Sequence, residues 1–178
     1  DYIEVMRAVY IYADYLAVNI SSPNTPGLRE LQGSNYLRRL LADLKSEQAS
    51  LAERHRLRPR PLLVKIAPDL TDRDLDEILE AVTAAGIDGI IATNTTLARD
   101  AVAGAPYADE TGGLSGRPLA ERSTQIIAHI REQTGSRLPI IGAGGVFTPE
   151  DVREKLDAGA SLVQLYTSFI YEGPRLPG

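Results

Sequence analysis

The residues best suited to chemistry lie in short polar clusters that follow apolar runs. In Asn19-Ile20-Ser21-Ser22-Pro23-Asn24-Thr25-Pro26-Gly27, amides and hydroxyls crowd behind the apolar lead-in Tyr15-Leu16-Ala17-Val18. Burying such groups is costly unless each meets a hydrogen-bonding partner, and a polar, planar ligand with several donors and acceptors would supply them. Thr93-Asn94-Thr95-Thr96 repeats the arrangement. Lys65 stands alone inside Pro61-Leu62-Leu63-Val64-Lys65-Ile66-Ala67-Pro68-Asp69, where its ammonium must be paired or must touch a ligand. The glycines of Thr111-Gly112-Gly113-Leu114-Ser115-Gly116 and Gly142-Ala143-Gly144-Gly145-Val146 allow backbone N–H groups to approach an anion or a ring. The chain has no cysteine, so a thiolate nucleophile is excluded and serine serves where a thiol would. Each cluster also has a plainer reading. Ser-Pro-Asn-Thr-Pro-Gly makes a tight surface loop elsewhere, and Gly-Ala-Gly-Gly can be plain close packing of a helix on a strand.

These groups need elements to position them, and the apolar pattern supplies alternating helices and strands. Val5, Met6, Val9 and Tyr10 mark one face of a helix within Asp1 to Tyr12, feeding the first strand. Ser34 can cap a helix with Leu37, Leu40, Leu41 and Leu44 as its stripe, running to about Arg54. Thr71 and Asp74 cap another, lined by Leu75, Ile78, Leu79 and Val82 and ended by Gly86. A strand follows from Gly89 to Thr96, then a long Gly, Ala and Pro-rich connection from Leu97 to Pro118, whose length marks it as functional or mobile. Ile126, Ile127 and Ile130 define a further helix stopping near Gly135. Leu138 to Val146 is a fourth strand, Thr148-Pro149-Glu150-Asp151 opens a helix closed by Gly159, and Ser161 to Thr167 is a fifth strand. Such alternation means parallel βα units, and the polar groups fall at the carboxyl ends of the strands. The Gly144-Gly145 turn with the Tyr166-Thr167 end resembles the phosphate site that (β/α)8 barrels build after their last two strands.

Composition narrows the functional classes. With 178 residues, two Phe and no Trp, the chain makes one domain with an aliphatic core. A net charge of -5 leaves no general basic face for nucleic acid. The basic run Arg54 to Arg60 reads as a solvated helix end. His55 belongs to that run and His129 to a helix boundary, so no histidine metal site is expected. Neither a transmembrane stretch nor a signal peptide is visible.

Taken together and in order, Asn19 to Thr25, Val64 to Asp69, Thr93 to Thr96, Glu110 to Gly116, Gly142 to Val146 and Gln164 to Thr167 resemble the dihydroorotate dehydrogenase family, in its quinone-dependent class 2. The resemblance implies a (β/α)8 barrel that carries FMN and oxidises (S)-dihydroorotate to orotate in pyrimidine synthesis, passing electrons to a membrane quinone. On this resemblance Ser22 is the general base at C5, where class 1 enzymes use cysteine, and Thr25 is close enough to assist it. Asn19, Asn24, Asn94 and Thr95 hold the pyrimidine and its carboxylate, and Asn19 also touches the flavin. Lys65 and Thr93 are flavin contacts, with Lys65 stabilising negative charge on the reduced ring. Gly116, Gly144, Gly145, Tyr166 and Thr167 contact FMN, chiefly at its phosphate end.

Five strands are counted where barrel closure needs eight. The expectation is a single FMN-binding barrel domain incomplete at both ends, lacking its first strands, the helical segment that admits quinone, and a last helix. The resemblance places such an enzyme at the cytoplasmic side of the inner membrane as a peripheral protein. Two other readings stay open: another FMN- or phosphate-binding barrel enzyme, or an inactive truncated domain acting only through partner contacts at its open sheet edges.

Overall fold

The computed structural model describes residues 1–25, 29 and 34–176. Five strands, β1 (Leu16–Asn19), β2 (Leu62–Ile66), β3 (Gly89–Ala92), β4 (Ile140–Ala143) and β5 (Leu162–Gln164), form one sheet in that order. Every neighbouring pair is parallel. Strand order that follows the chain without reversal lacks the crossover switch of a doubly wound sheet, and is the order found in barrels.

Helices α1 (Tyr2–Val9), α2 (Ser34–His55), α3 (Asp72–Ala84), α4 (Ala120–Thr134), α5 (Pro149–Asp157) and α6 (Thr167–Glu172) alternate with the strands. Period-two alternation sorts the strand residues. Leu62, Val64, Ile66, Ile90, Ala92 and Ile140 belong to the main core with the stripes of α2, α3 and α4. Leu63, Ile91 and Ala143 make a small second cluster with Ile141 on the opposite face. Lys65 shares the parity of Leu63 and so points to this second face. The two acidic-capped helices start where the sequence marks them. Thr71 Oγ1 accepts Asp74 N–H while Asp74 accepts Thr71 N–H, and Thr148 and Asp151 repeat the box. Each box contributes about 1 kcal/mol and fixes where the chain leaves the preceding loop.

Four expectations change. β1 is an edge strand of which only Val18 is buried, so Asn19 and Asn24 are exposed while Ser21 is fully buried. On α1 Met6 reaches the core, as does Tyr10 just past its end, whereas Val5 and Val9 are exposed. β3 stops at Ala92, and Thr96 instead makes an isolated antiparallel bridge to Leu114. β5 ends at Gln164, and Thr167, read as the end of that strand, opens α6 instead. Past the ends of β3 and β5, side chains leave the sheet for hydrogen bonds with loops, Thr96 with Asp69 and Thr167 with Ser115. The helix predicted from Ser34 begins there, although its capping side chain, like Pro26 and Gly27, lies outside the described residues.

Candidate active site at the carboxyl end of the sheet

Past the end of β1, Asn19 Oδ1 accepts the backbone N–H of Ser21 at 3.2 Å and its hydroxyl at 3.0 Å. Asn94 reaches the same cluster, donating from Nδ2 to Asn19 Oδ1 at 3.2 Å and to Ser21 Oγ at 3.1 Å. Its Oδ1 accepts Thr95 N–H at 2.8 Å. Asn94 is thereby satisfied within the protein. The Nδ2 groups of Asn19 and Asn24 have no hydrogen-bond partner among the described residues, so they are the amide donors left for a ligand. Asn24 Oδ1 accepts Gly113 N–H at 3.1 Å, joining segments 89 residues apart. A Cβ on Gly113 would overlap Thr95 and Pro23, which is why the long connection can close on this wall only with glycine there.

Ser22 is half-buried. Its Oγ accepts Asn24 N–H at 3.3 Å, and no carboxylate or imidazole lies within hydrogen-bond reach among the described residues. Any proton it takes must leave through water or a neighbouring hydroxyl.

The remaining predicted residues gather around one open cleft of about 290 Å³, lined by Lys65, Thr93, Asn94, Thr95, Gly116, Gly144, Gly145, Tyr166 and Thr167. That is the small end of the roughly 300–1,000 Å³ of ligand pockets. Asn19, Ser22 and Asn24 do not line it; they sit beside it on the β1 loop, joined through Asn94. Asn19 is the register partner of Lys65. The Lys65 ammonium has no ion-pair or hydrogen-bond partner among the described residues, and burial holds its pKa below the usual lysine range. Gly144, Gly145 and Gly116 all have positive φ, at 122°, 71° and 84°. A Cβ on Gly145 would overlap the backbone of Ala120 at the start of α4. Thr167 Oγ1 donates to Ser115 Oγ at 2.9 Å, tying α6 to the glycine-rich connection.

Several supporting groups escape a reading of the sequence. Arg29 donates to Ser21 O at 3.1 Å, to Asp69 at 2.7 Å and to Thr95 O at 3.0 Å, clasping the ends of β1, β2 and β3 together. Asp69 also accepts the Thr96 hydroxyl and Leu97 N–H. Arg99 holds the long connection through the carbonyls of Glu110 and Gly112. Lys155, only 1% exposed, lies under the Gly144–Gly145 turn. Its signal is a lysine three positions after Val152 on α5, at helical core spacing. His129 pairs with Asp76 at 2.7 Å, away from the cleft.

A parallel sheet in sequential order, with polar loops and glycine turns collected at its carboxyl ends, defines a segment of an α/β barrel, the architecture whose members place their sites at that face. The sequence matches the family "Dihydroorotate dehydrogenase" over residues 1–177. The chain is 53% identical over its whole length to the dihydroorotate dehydrogenase (quinone) of Bordetella avium, covering 51% of that protein. It is 54% identical to that of Chromobacterium violaceum, covering 52%. Among solved structures, DHODH from Eimeria tenella in complex with ferulenol superposes with a TM-score of 0.94 at 40% identity, covering 99% of this chain and 50% of that one. The ligand-free form from the same organism gives 0.92 at 42% identity. The chain belongs to the dihydroorotate dehydrogenase family, whose solved members are TIM barrels, and it spans about half the length of the curated relatives it matches.

Proposed function

We propose that these residues form part of a single FMN-binding barrel domain that oxidises (S)-dihydroorotate to orotate in pyrimidine biosynthesis and delivers the electrons to a quinone. The observation that carries this reading is the junction of two half-sites: the amide and hydroxyl cluster of the β1 loop meets the lysine and glycine cleft through the Asn94–Asn19 bond.

The residues present fit a flavin with a phosphate tail. The Lys65 ammonium, without a partner among the described residues, faces the ring end, and the turn at Gly144 and Gly145, packed against Leu119 and Ala120 where side chains would stand, offers backbone N–H groups to the phosphate beside Gly116, Tyr166 and Thr167. Thr93 would border the ring. FMN supplies the hydride acceptor when bound. The chain's own residues do the rest. Asn19 and Asn24 present free Nδ2 donors to the pyrimidine, while Asn94, its own donors spent on Asn19 and Ser21, positions those two residues and holds Thr95 beside the carboxylate side. Ser22 takes the C5 proton, with water or the Thr25 hydroxyl three residues on as its exit. Lys65 stabilises negative charge arriving on the ring from its position beside Asn19.

Quinone access is assigned to a segment outside these residues, and with it peripheral contact with the cytoplasmic face of the inner membrane. Among the described residues no helix is long and apolar enough to cross a membrane.

The test is spectroscopic. Full-length protein carrying these residues is expected to purify yellow, and orotate to shift the flavin absorbance. A flavin spectrum indifferent to orotate would point to another flavin-binding barrel, and a colourless protein that FMN does not reconstitute would overturn the reading.

A further inference from the structure

Lys155 is the most deeply buried charged side chain of the described residues, and the proposed chemistry leaves it unused. Its stem lies against Gly142 of β4. Its ammonium donates to Ser123 Oγ and Thr124 Oγ1, each at 3.2 Å, and to Ala120 O at 3.5 Å, all neutral oxygens. No carboxylate is within ion-pair distance among the described residues. Asp151, one turn earlier on α5, is taken by Arg117 at 2.6 Å and by the N–H groups of Phe147 and Thr148. A cation buried among neutral groups is costly, and a methyl-ended side chain would fill the same space without that cost.

The position of the ammonium gives it a task. Ala120, whose carbonyl it holds, is the residue that a Cβ on Gly145 would strike. Ser123, which accepts from it, donates in turn to Ala143 O at 2.7 Å, and its Cβ lies 3.3 Å from where a Cβ on Gly144 would stand. The ammonium therefore sits directly behind the wall of the cleft made by Gly144, Gly145 and Ala120.

We propose that Lys155 is a positioning residue for the phosphate end of the cleft, its ammonium acting through Ser123 and Ala120 as the buried counter-charge that favours a phosphomonoester dianion in the Gly144–Gly145 turn. This rests on the flavin reading above. Burial brings the Lys155 pKa down to about 8, partly opposed by the carboxylates of Asp151 and Glu154. Of the charged groups of α4, Arg122 bonds with the carbonyls of Pro68 and Leu70, Glu121 with Gln125, Arg131 with Gly135 O and His129 with Asp76, and Glu132 is exposed to solvent. β4 and β5 bring no charged residue to it. A dianion beyond the wall favours the charged lysine, so affinity for phosphate must fall as pH rises through about 8 and deprotonates the ligand-free protein.

The experiment titrates the flavin-free full-length protein with FMN and with riboflavin, which lacks the phosphate, between pH 7 and 9.5. Wild-type affinity for FMN is expected to decline over that range relative to riboflavin; the ring's own titration and that of Lys65 are common to both ligands. Lys155→Met is expected to weaken FMN at pH 7.5 by about tenfold, leave riboflavin unchanged, and abolish the differential pH slope. Equal losses for both ligands, or an FMN affinity equal to wild type, would overturn the role. A wild-type FMN-to-riboflavin ratio that does not change with pH overturns it without any variant. Failure of wild type to bind either flavin overturns the flavin reading and this inference with it.

Discussion

Asn94 donates from Nδ2 to Asn19 Oδ1 at 3.2 Å across the end of β2, although β1 and β3 are not neighbours in the sheet. The bond bridges the β1 loop and the cleft lined by Lys65 and Gly145. Its polarity is testable with an isostere. Asn94→Asp replaces the donor by an acceptor facing Asn19 Oδ1 and Ser21 Oγ, so two bonds become contacts between oxygens. The variant is expected to lose about 1–3 kcal/mol of stability by thermal melting. Its full-length form is expected to bind orotate at least tenfold more weakly by flavin absorbance. Unchanged orotate binding would remove Asn94 from the site.

Ser22 separates chemistry from structure cleanly, because its Oγ makes only a long 3.3 Å bond with Asn24 N–H on an exposed loop. Ser22→Ala is expected to cost little stability and to retain FMN. Dihydroorotate oxidation is expected to drop by roughly 10²- to 10⁴-fold, the ordinary contribution of a positioned proton acceptor. Near-normal turnover would show that another group takes the C5 proton.

Lys65 is half-buried without a partner among the described residues, so its charge acts on whatever fills the cleft. Lys65→Met keeps the stem and removes that charge. Bound flavin in the variant is expected to have a reduction potential more negative by about 20–60 mV, equivalent to roughly 1–3 kcal/mol for a two-electron couple. A potentiometric titration decides it, and an unchanged potential would leave Lys65 a packing role only.

The framework of this site is legible in the sequence where local rules agree. Thr71 with Asp74, and Thr148 with Asp151, mark helix starts that recur in the structure because a capping box is satisfied within four residues. The apolar runs before Lys65 and Thr93 become β2 and β3 because buried parallel strands are apolar on both faces. Contacts made across the chain are not legible in this way. Nothing local to Asn24 announces Gly113, and nothing local to Asp69 announces Arg29. On α5 the apparent polarity is inverted, with Leu156 43% exposed and Lys155 buried, because the space beside Gly142 and the hydroxyls of Ser123 and Thr124 suits a long donor. The Tyr166-Thr167 end reads as strand from its neighbours, yet Thr167 turns away into α6 to meet Ser115.

Asp69 is the acceptor that gathers Arg29, Thr96 and Leu97 at the mouth of the site. Asp69→Ala releases all three while leaving the cleft lining intact. Amides of residues 19–25 are expected to exchange with solvent about tenfold faster, since the clasp lowers their opening equilibrium by roughly 1–2 kcal/mol. Hydrogen exchange read by mass spectrometry checks it, and unchanged protection would mean that the Asn94 bonds alone hold the loop.

Lys155 makes a stability prediction opposite in sign to its expected effect on phosphate binding. Its folded pKa of about 8 lies below the ordinary lysine value of 10.5. Below about pH 8 it is charged in both folded and unfolded chains, and the folded state carries the full cost of burying it. Between about 8 and 10.5 the folded state binds fewer protons than the unfolded one, so stability rises with pH; above 10.5 the group is neutral in both and the cost is gone. The span corresponds to roughly 3–4 kcal/mol, and Ser123 and Thr124 keep their own donor bonds to Ala143 O and Ala120 O whatever stands at position 155. Flavin-free Lys155→Met is therefore expected to melt higher than wild type at pH 7, with the difference shrinking steadily toward pH 10. A variant less stable than wild type at pH 7 by a margin independent of pH would show that the lysine's hydrogen bonds outweigh its desolvation, and that it is retained for the packing of α4 on α5.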